Sequence, residues 1–259
     1  MQLDLTGKHA LVCGASQGIG RAAAIELACL GARVTALARS ADKLDTLVAE
    51  LPGSGHDRLS LDMRDTNALR EAIDRLVAGD PVTILVNNTG GPAAGPAHNA
   101  TAQAFLDAFT QHLVANQTLL QAVLPGMREA GFGRIVNVIS TSVKEPIPGL
   151  GVSNTTRAAV AGWAKTVSRE VAADGITVNN VLPGYTHTAR LDSLIATRAR
   201  NAGASEQAIT EAMLADVPAG RFGDASEIAA VIAFLCSPAA AYVNGVSIAV
   251  DGGRTRALS

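Results

Sequence analysis

The residues with the clearest chemical meaning form a glycine-rich loop between an apolar β-branched run and a segment of helical period. Glycines allow a tight turn and a close approach to the backbone, and a helix N-terminus offers unpaired N–H groups and a positive dipole end. Side-chain hydroxyl and amide groups in the loop can add donors. The sequence therefore predicts a cradle for a dinucleotide pyrophosphate. Its members are Gly14, Ser16, Gln17, Gly18, Ile19 and Gly20.

The end of the second apolar run, Leu37-Ala38-Arg39-Ser40, bears on the choice of dinucleotide. A protein that prefers NAD(H) offers an acidic side chain here to the ribose 2′-hydroxyl. Ala38 removes that acid, and Arg39 can pair with a 2′-phosphate through charge-assisted hydrogen bonds. The sequence therefore predicts NADP(H), with NAD(H) the weaker ligand.

The elements that must position these groups follow a regular alternation of short β-branched runs and longer helical segments. This pattern is typical of βαβ units and predicts an α/β fold with a doubly wound parallel sheet of the Rossmann type. We expect strands at 9–13, 33–38, 58–61, 82–86, 135–139, 176–181 and 246–250. We expect helices at 21–30, 42–51, 66–77, 101–130, 154–173, 189–215 and 226–235. No repeat or linker divides the chain, which predicts one domain over residues 1–259, with a mobile substrate lid near 186–216.

The composition narrows the class of protein. A net charge of −2 gives no reason to expect a nucleic acid or an acidic membrane as partner. The N-terminus has neither the basic region nor the apolar stretch of a signal peptide, so a cytoplasmic location is expected. Cys13, Cys29 and Cys236 are expected to be small buried hydrophobic residues, and no metal site is expected.

Several landmarks at fixed positions resemble the short-chain dehydrogenase/reductase family. They are Gly14-x3-Gly18-x-Gly20, Asp62, Asn87-Asn88-Thr89-Gly90, Pro183-Gly184 and Asp251-Gly252-Gly253. The resemblance covers nearly the whole chain and looks closest to the beta-ketoacyl carrier-protein reductase branch. It implies a seven-stranded parallel sheet, hydride exchange with NAD or NADP, and a homotetramer. It also places further residues at the cofactor: Asp62, Met63, Asn88, Gly90, Arg157, Pro183, Gly184, Thr186 and Thr188. Cys13 and Thr89 stand where the family commonly has Thr and Ala.

The chain departs from that family at the four positions that carry its proton chemistry. Ser140 matches the serine that polarises the carbonyl. The tyrosine position falls on Ser153, the lysine position on Arg157 and the asparagine position on His112. Neither tyrosine of this chain has a lysine four residues later, so the motif has not moved elsewhere.

The replacements are chemically unequal. Arg157 can hydrogen-bond a ribose and supply a positive field, but it does not exchange protons near neutral pH. Ser153 lacks an adjacent base and is a poor acid. Lys144 and His112 are the alternative proton donors, although a solvated loop lysine and a structural histidine are the simpler readings. Tyr185, directly after Pro183-Gly184, is expected to pack beside the nicotinamide.

These residues leave more than one function open. The first hypothesis is an NADP(H)-dependent oxidoreductase that reduces a carbonyl, or oxidises an alcohol, on a small-molecule substrate with a non-standard proton donor. The second is an NADP(H)-binding sensor or non-catalytic partner with little or no turnover, and a lyase or epimerase is a third. Small residues on the helix at 154–173 (Ala158, Ala159, Ala161, Gly162 and Ala164) permit close helix pairing and favour a homotetramer.

Overall fold

A computed structural model describes residues 1–258 as an α/β protein built on one parallel sheet of seven strands. The strands are β1 (His9–Cys13), β2 (Arg33–Ala38), β3 (Asp57–Ser60), β4 (Ile84–Asn87), β5 (Gly133–Val138), β6 (Ile176–Pro183) and β7 (Ser247–Val250). Their order across the sheet is β3-β2-β1-β4-β5-β6-β7. The predicted fold class and all seven predicted strands are confirmed.

Helices connect the strands and cover both faces of the sheet. They are α1 (Gly18–Cys29), α2 (Ala41–Glu50), α3 (Thr66–Gly79), α4 (Ala102–Phe109), α5 (Ala115–Glu129), α6 (Gly151–Glu170), α7 (Ala189–Ala202), α8 (Glu206–Ala215) and α9 (Ala225–Cys236). Because successive side chains of a strand point to opposite faces, one strand feeds two apolar cores. Val12 packs with the layer of α1 and α9, whereas Leu11 and Cys13 pack with the layer of α3 and α5.

Two helical predictions need correction. The helix expected over 101–130 contains a π-helical turn, Thr110–Val114, between α4 and α5. The helical stretch expected over 189–215 is two helices, because α7 ends at Gly203 in the left-handed conformation with φ of 61°. The second break has a sequence signal, because Gly203 is a typical helix stop and Ser205 caps the start of α8, whereas the π-helical turn is a local change of backbone geometry.

A line of amide side chains crosses the sheet at its buried centre. Asn87 donates to Asn137 Oδ1 at 2.8 Å, Asn137 donates to Asn180 Oδ1 at 2.9 Å, and Asn180 donates to Ser247 Oγ at 3.1 Å. The first three residues are at most 3% exposed. Unpaired buried amides are costly, so this row fixes the register of β4 to β7.

Other expectations concern cysteines, membranes and metals. Cys13 and Cys236 are buried, as expected, but Cys29 is exposed on the outer face of α1. In the described residues, no helix is both long and apolar enough to cross a membrane. Within the same range, His, Cys, Asp and Glu side chains form no group that could hold a metal ion.

Candidate active site

A cavity of about 700 Å³ opens at the carboxyl ends of the strands, where loops from both halves of the sheet meet. β1 lies between β2 and β4, so the chain changes direction across the sheet at this point. Open parallel sheets bind their ligands at such a crossing point. The cavity is lined by the segments that follow β1, β2, β3, β4, β5 and β6, and by Arg254 after β7.

The glycine-rich loop forms one wall of the cavity. Gly14 has φ of 61°, and a Cβ added there would lie 2.6 Å from the Asn88 carbonyl oxygen, so the position is restricted to glycine. Helix α1 begins at Gly18, and its N-cap residue Gln17 makes no side-chain capping hydrogen bond. The first N–H groups of α1 are therefore available to an anionic ligand.

The predicted cofactor residues converge on this cavity with one exception. Gly20 is buried behind the loop, where a Cβ would collide with the Gly14 carbonyl group, so it permits helix packing and does not face a ligand. The predicted residues that do line the cavity are Gly14, Ser16, Gln17, Gly18, Ile19, Arg39, Asp62, Met63, Asn88, Gly90, Arg157, Pro183, Gly184, Thr186 and Thr188.

One end of the cavity is rich in positive charge. Arg39, Lys43 and Arg64 line it together with Ala38 and Ser40. Arg64 donates to the carboxylate of Asp62 at 2.7 Å. That hydrogen bond and the positive charge of Arg39 hold the pKa of Asp62 below its usual value. Arg39 is exposed and forms no ion pair within residues 1–258, so it is free to meet a phosphate.

Ser140 and Ser153 both line the cavity, as predicted. Ser140 follows β5 and caps a short 3-10 turn, and its Oγ accepts a hydrogen bond from the Ser142 N–H at 3.1 Å. The hydroxyl proton of Ser140 remains available as a donor toward the cavity. Ser153 lies in the first turn of α6 and is 9% exposed.

Arg157 lies one turn further along α6 and is 7% exposed. Its Nη1 donates to the Val138 carbonyl oxygen at 3.0 Å, whereas its Nε is buried without a hydrogen-bond partner. Burial, together with the nearby charge of Arg190, lowers the pKa of Arg157 to about 10. The guanidinium therefore keeps its charge at neutral pH, which agrees with the predicted electrostatic role.

The structure does not place His112 as the alternative proton donor that the sequence suggested. His112 lies in the π-helical turn and is 3% exposed, and its Nδ1 is 2.7 Å from Thr89 Oγ1. Burial, and secondarily the charge of Arg157, lower the pKa of His112 to about 2. His112 is also absent from the cavity wall. It is a neutral histidine that anchors the loop at Thr89.

The placement of Lys144 also needs correction. Lys144 ends the short 3-10 turn after Ser140, and its N–H bonds to the Thr141 carbonyl oxygen at 2.9 Å. Ser140 and Thr141 line the cavity, but Lys144 does not. Lys144 is therefore not placed as the alternative proton donor that the sequence suggested, although Ile147 and Leu150 of the same segment return to the cavity wall.

The structure adds cavity residues that the sequence analysis did not assign to the site. Three of them are Arg190, Arg198 and Arg254, which come from α7 and from the segment after β7. Tyr185 lies among them: Arg198 Nη1 is 3.4 Å from its hydroxyl, and the Arg254 guanidinium lies 4.5 Å from its ring centre. The sequence could have indicated Arg254 as a cavity residue. It follows the last strand, whose carboxyl end lies at the edge of the sheet where the cavity opens.

Comparisons with known proteins agree with this architecture. Residues 14–255 match a family profile described as enoyl-(acyl carrier protein) reductase. The 3-oxoacyl-[acyl-carrier-protein] reductase FabG of Pseudomonas aeruginosa is 35% identical over 257 residues, which cover 97% of this chain and 98% of the relative. The chain therefore belongs to the short-chain dehydrogenase/reductase family, in the beta-ketoacyl carrier-protein reductase-like branch.

Two further relatives carry information about ligands. The NADPH-dependent reductase BacG of Bacillus subtilis is 29% identical over 259 residues, which cover 98% of this chain and 100% of the relative. The crystal structure of L-sorbose reductase from Gluconobacter frateurii, complexed with NADPH and L-sorbose, superposes with a TM-score of 0.93. That enzyme is 27% identical, and the match covers 100% of both chains.

Proposed function

We propose that this protein is an NADP(H)-dependent oxidoreductase that reduces a carbonyl group, or oxidises the corresponding alcohol, on a small-molecule substrate. The observation that carries the proposal is one cavity that joins a phosphate cradle to Ser140 at the switch point of the sheet. The relatives named above, an NADPH-dependent reductase and a reductase complexed with NADPH, support the same assignment.

The residues present fit NADP(H). The turn at Gly14 leaves no room for a side chain, and the uncapped N-terminus of α1 faces the same space, as pyrophosphate binding requires. Arg39, Lys43 and Arg64 would hold the 2′-phosphate at the cationic end of the cavity. When bound, the nicotinamide supplies or accepts the hydride.

In this proposal, Ser140 donates a hydrogen bond to the substrate oxygen, and buried Arg157 maintains a positive potential where negative charge develops. Lys144 and His112 do not reach the cavity, and Ser153 has no neighbouring base. Tyr185 brings a phenolic hydroxyl into the cavity beside Arg198. We therefore assign the non-standard proton transfer to Tyr185.

The assembly and the lid stay predictions within this proposal. Ala158 and Gly162 form an exposed face of small residues on α6, and Leu106 and Val114 are exposed apolar side chains near α4. These faces support pairing of subunits, with a homotetramer as the expected closed assembly. Helices α7 and α8 occupy the region of the expected lid, and α7 contributes Arg198 to the cavity.

NADPH oxidation in the presence of small ketones, oxo acids, quinones and ketoacyl thioesters tests the proposal. We expect NADPH consumption with at least one class of carbonyl compound, and with matching alcohol formation. Tight NADPH binding without turnover of any compound would instead support the sensor hypothesis.

A further inference from the structure

The half of the cavity around Ser140 contains more positive charge than the role given to Arg157 requires. Arg157, Arg190, Arg198 and Arg254 all line it. None of the four forms an ion pair with a carboxylate anywhere in residues 1–258; the nine ion pairs found there use other cations. Asp62 is the one acidic side chain on the described cavity wall, and Arg64 already neutralises it.

Guanidinium groups without a carboxylate partner repel one another, and a cleft lined by charges of one sign attracts a ligand of the opposite sign. Arg157 and Arg190 approach each other beside Gly91, where their Nη2 atoms lie 3.7 and 3.5 Å from the place a Cβ would occupy. The guanidinium groups of Arg254 and Arg198 lie 4.5 and 5.9 Å from the centre of the Tyr185 ring, and Arg198 also contacts the Tyr185 hydroxyl.

Arg254 is the best placed of the four to bind the substrate. Its Nη1 is 3.4 Å from the Thr141 hydroxyl, and Thr141 directly follows Ser140. The Nε of Arg254 is buried and has no hydrogen-bond partner. Because this Nε is buried, the part of Arg254 left to a ligand is its terminal Nη groups, through which a planar guanidinium can bind both oxygens of a carboxylate.

We propose that the substrate is a small oxo acid, whose carboxylate binds Arg254 and Arg198 while its carbonyl oxygen meets Ser140. This inference rests on the proposed function and specifies its substrate class. The short path from Arg254 through Thr141 to Ser140 requires the carboxylate and the carbonyl to be close in the substrate, as in a 2-oxo or 3-oxo acid. A neutral sugar or a thioester would leave the arginine charges unpaired.

Calorimetric titration of the protein saturated with NADP⁺ tests this inference without relying on turnover. The probes are 2-oxohexanoate, its methyl ester, 2-hexanone and dihydroxyacetone phosphate. We expect the acid to bind at least about tenfold more tightly than the ester and the ketone, a difference that shrinks as salt is added. Arg254→Met and Arg198→Met should each remove most of that difference. Arg200→Met is the matched control, since Arg200 is exposed on the same helix and does not line the cavity.

Several outcomes would overturn the inference. They are equal binding of acid and ester, no binding of the acid, and tighter binding of the phosphate compound than of the acid. Unchanged acid binding in both arginine variants would also do so, and circular dichroism spectra will show that the variants are folded. NADPH titration of the same preparations separates the two proposals: a protein that binds NADPH and turns over neutral ketones, without preference for acids, keeps the proposed function and loses this inference.

Discussion

Arg157 donates a hydrogen bond from Nη1 to the carbonyl oxygen of Val138 at 3.0 Å and thereby joins α6 to the last residue of β5. Ser140 follows two residues after Val138, so the same contact fixes the cation and the hydroxyl on one wall of the cavity. A buried arginine in this role provides a permanent charge and no exchangeable proton at neutral pH.

The first prediction concerns that cation. Arg157→Met should weaken NADPH binding by about tenfold or more, because a charge-assisted hydrogen bond contributes roughly 1.5–3 kcal/mol. Arg157→Lys keeps the charge and should retain part of the affinity. Fluorescence titration with NADPH measures the effect, and thermal unfolding of each variant separates lost binding from lost stability. Equal affinities in all three proteins would exclude the cofactor role of Arg157.

The second prediction concerns cofactor choice. Arg39→Ala should weaken NADPH binding by about tenfold to a hundredfold and leave NADH binding nearly unchanged, because the 2′-phosphate is the group that differs. The discrimination in the unaltered protein should fall with added salt, since Arg39 is exposed. If Arg39→Ala weakened NADPH and NADH binding equally, Arg39 would not contact the 2′-phosphate.

The third prediction separates the possible proton donors. Ser140→Ala and Tyr185→Phe should each lower kcat by about a hundredfold or more on one accepted substrate, as loss of an oriented donor does. Ser153→Ala should have a much smaller effect, and Lys144→Met should behave as the unaltered protein because Lys144 does not line the cavity. Rates across a pH series show whether Tyr185→Phe alters the pH profile. If only Ser153→Ala abolished turnover, this assignment would be wrong.

The fourth prediction follows from the buried His112. Its pKa is about 6.5 in the unfolded chain and about 2 in the folded protein, so the unfolded state binds an extra proton between these values. The stability that depends on neutral His112 is therefore complete above about pH 6.5 and declines as the pH falls toward 2. About two pH units below 6.5, the loss should be roughly 2–3 kcal/mol.

Urea unfolding at neutral and mildly acidic pH measures this decline. His112→Asn removes the titrating group and should show a clearly shallower decline over the same range. His56→Asn is a suitable comparison, since His56 lies outside the cavity wall and is less buried than His112. If the free energy of unfolding declined equally with pH in His112→Asn and in the unaltered protein, His112 would not be the cause of the decline.

The fifth prediction uses the face of α6. A side chain added at Gly162 meets no atom within 4 Å in the isolated subunit, so Gly162→Leu should fold normally. If α6 pairs with another subunit there, the same change should dissociate the tetramer into smaller species. Light scattering measures the mass, and Gly79→Leu is the control, because Gly79 is also exposed with open space around it. A monomeric unaltered protein would contradict the predicted assembly.

Much of the fold could be predicted because its signals are local. The apolar run His9–Cys13 and the glycines that follow it report a strand, a turn and a helix start within about twelve residues of sequence. Arg39 could be placed for the same reason, since it follows a strand whose carboxyl end faces the crevice, whereas Asp62 is placed by the family resemblance.

The rest of the site depends on distances in space that sequence order does not encode. Lys144 is four residues from Ser140 and still misses the cavity, because a 3-10 turn redirects the chain. Arg254 is more than a hundred residues from Thr141 and lies beside it. The neutral state of His112 follows from its burial in a π-helical turn, and periodicity does not reveal that turn.

Hydride transfer from labelled cofactor tests the central claim most directly. The protein is incubated with NADPH that carries deuterium at both C4 positions of the nicotinamide, together with a panel of oxo acids and neutral ketones, and the products are examined by mass spectrometry. The proposed function predicts an alcohol product that carries one deuterium, formed at a rate that Ser140→Ala lowers by about a hundredfold. Bound NADPH that keeps its deuterium with every substrate would contradict the proposed function and support the binding-only alternative.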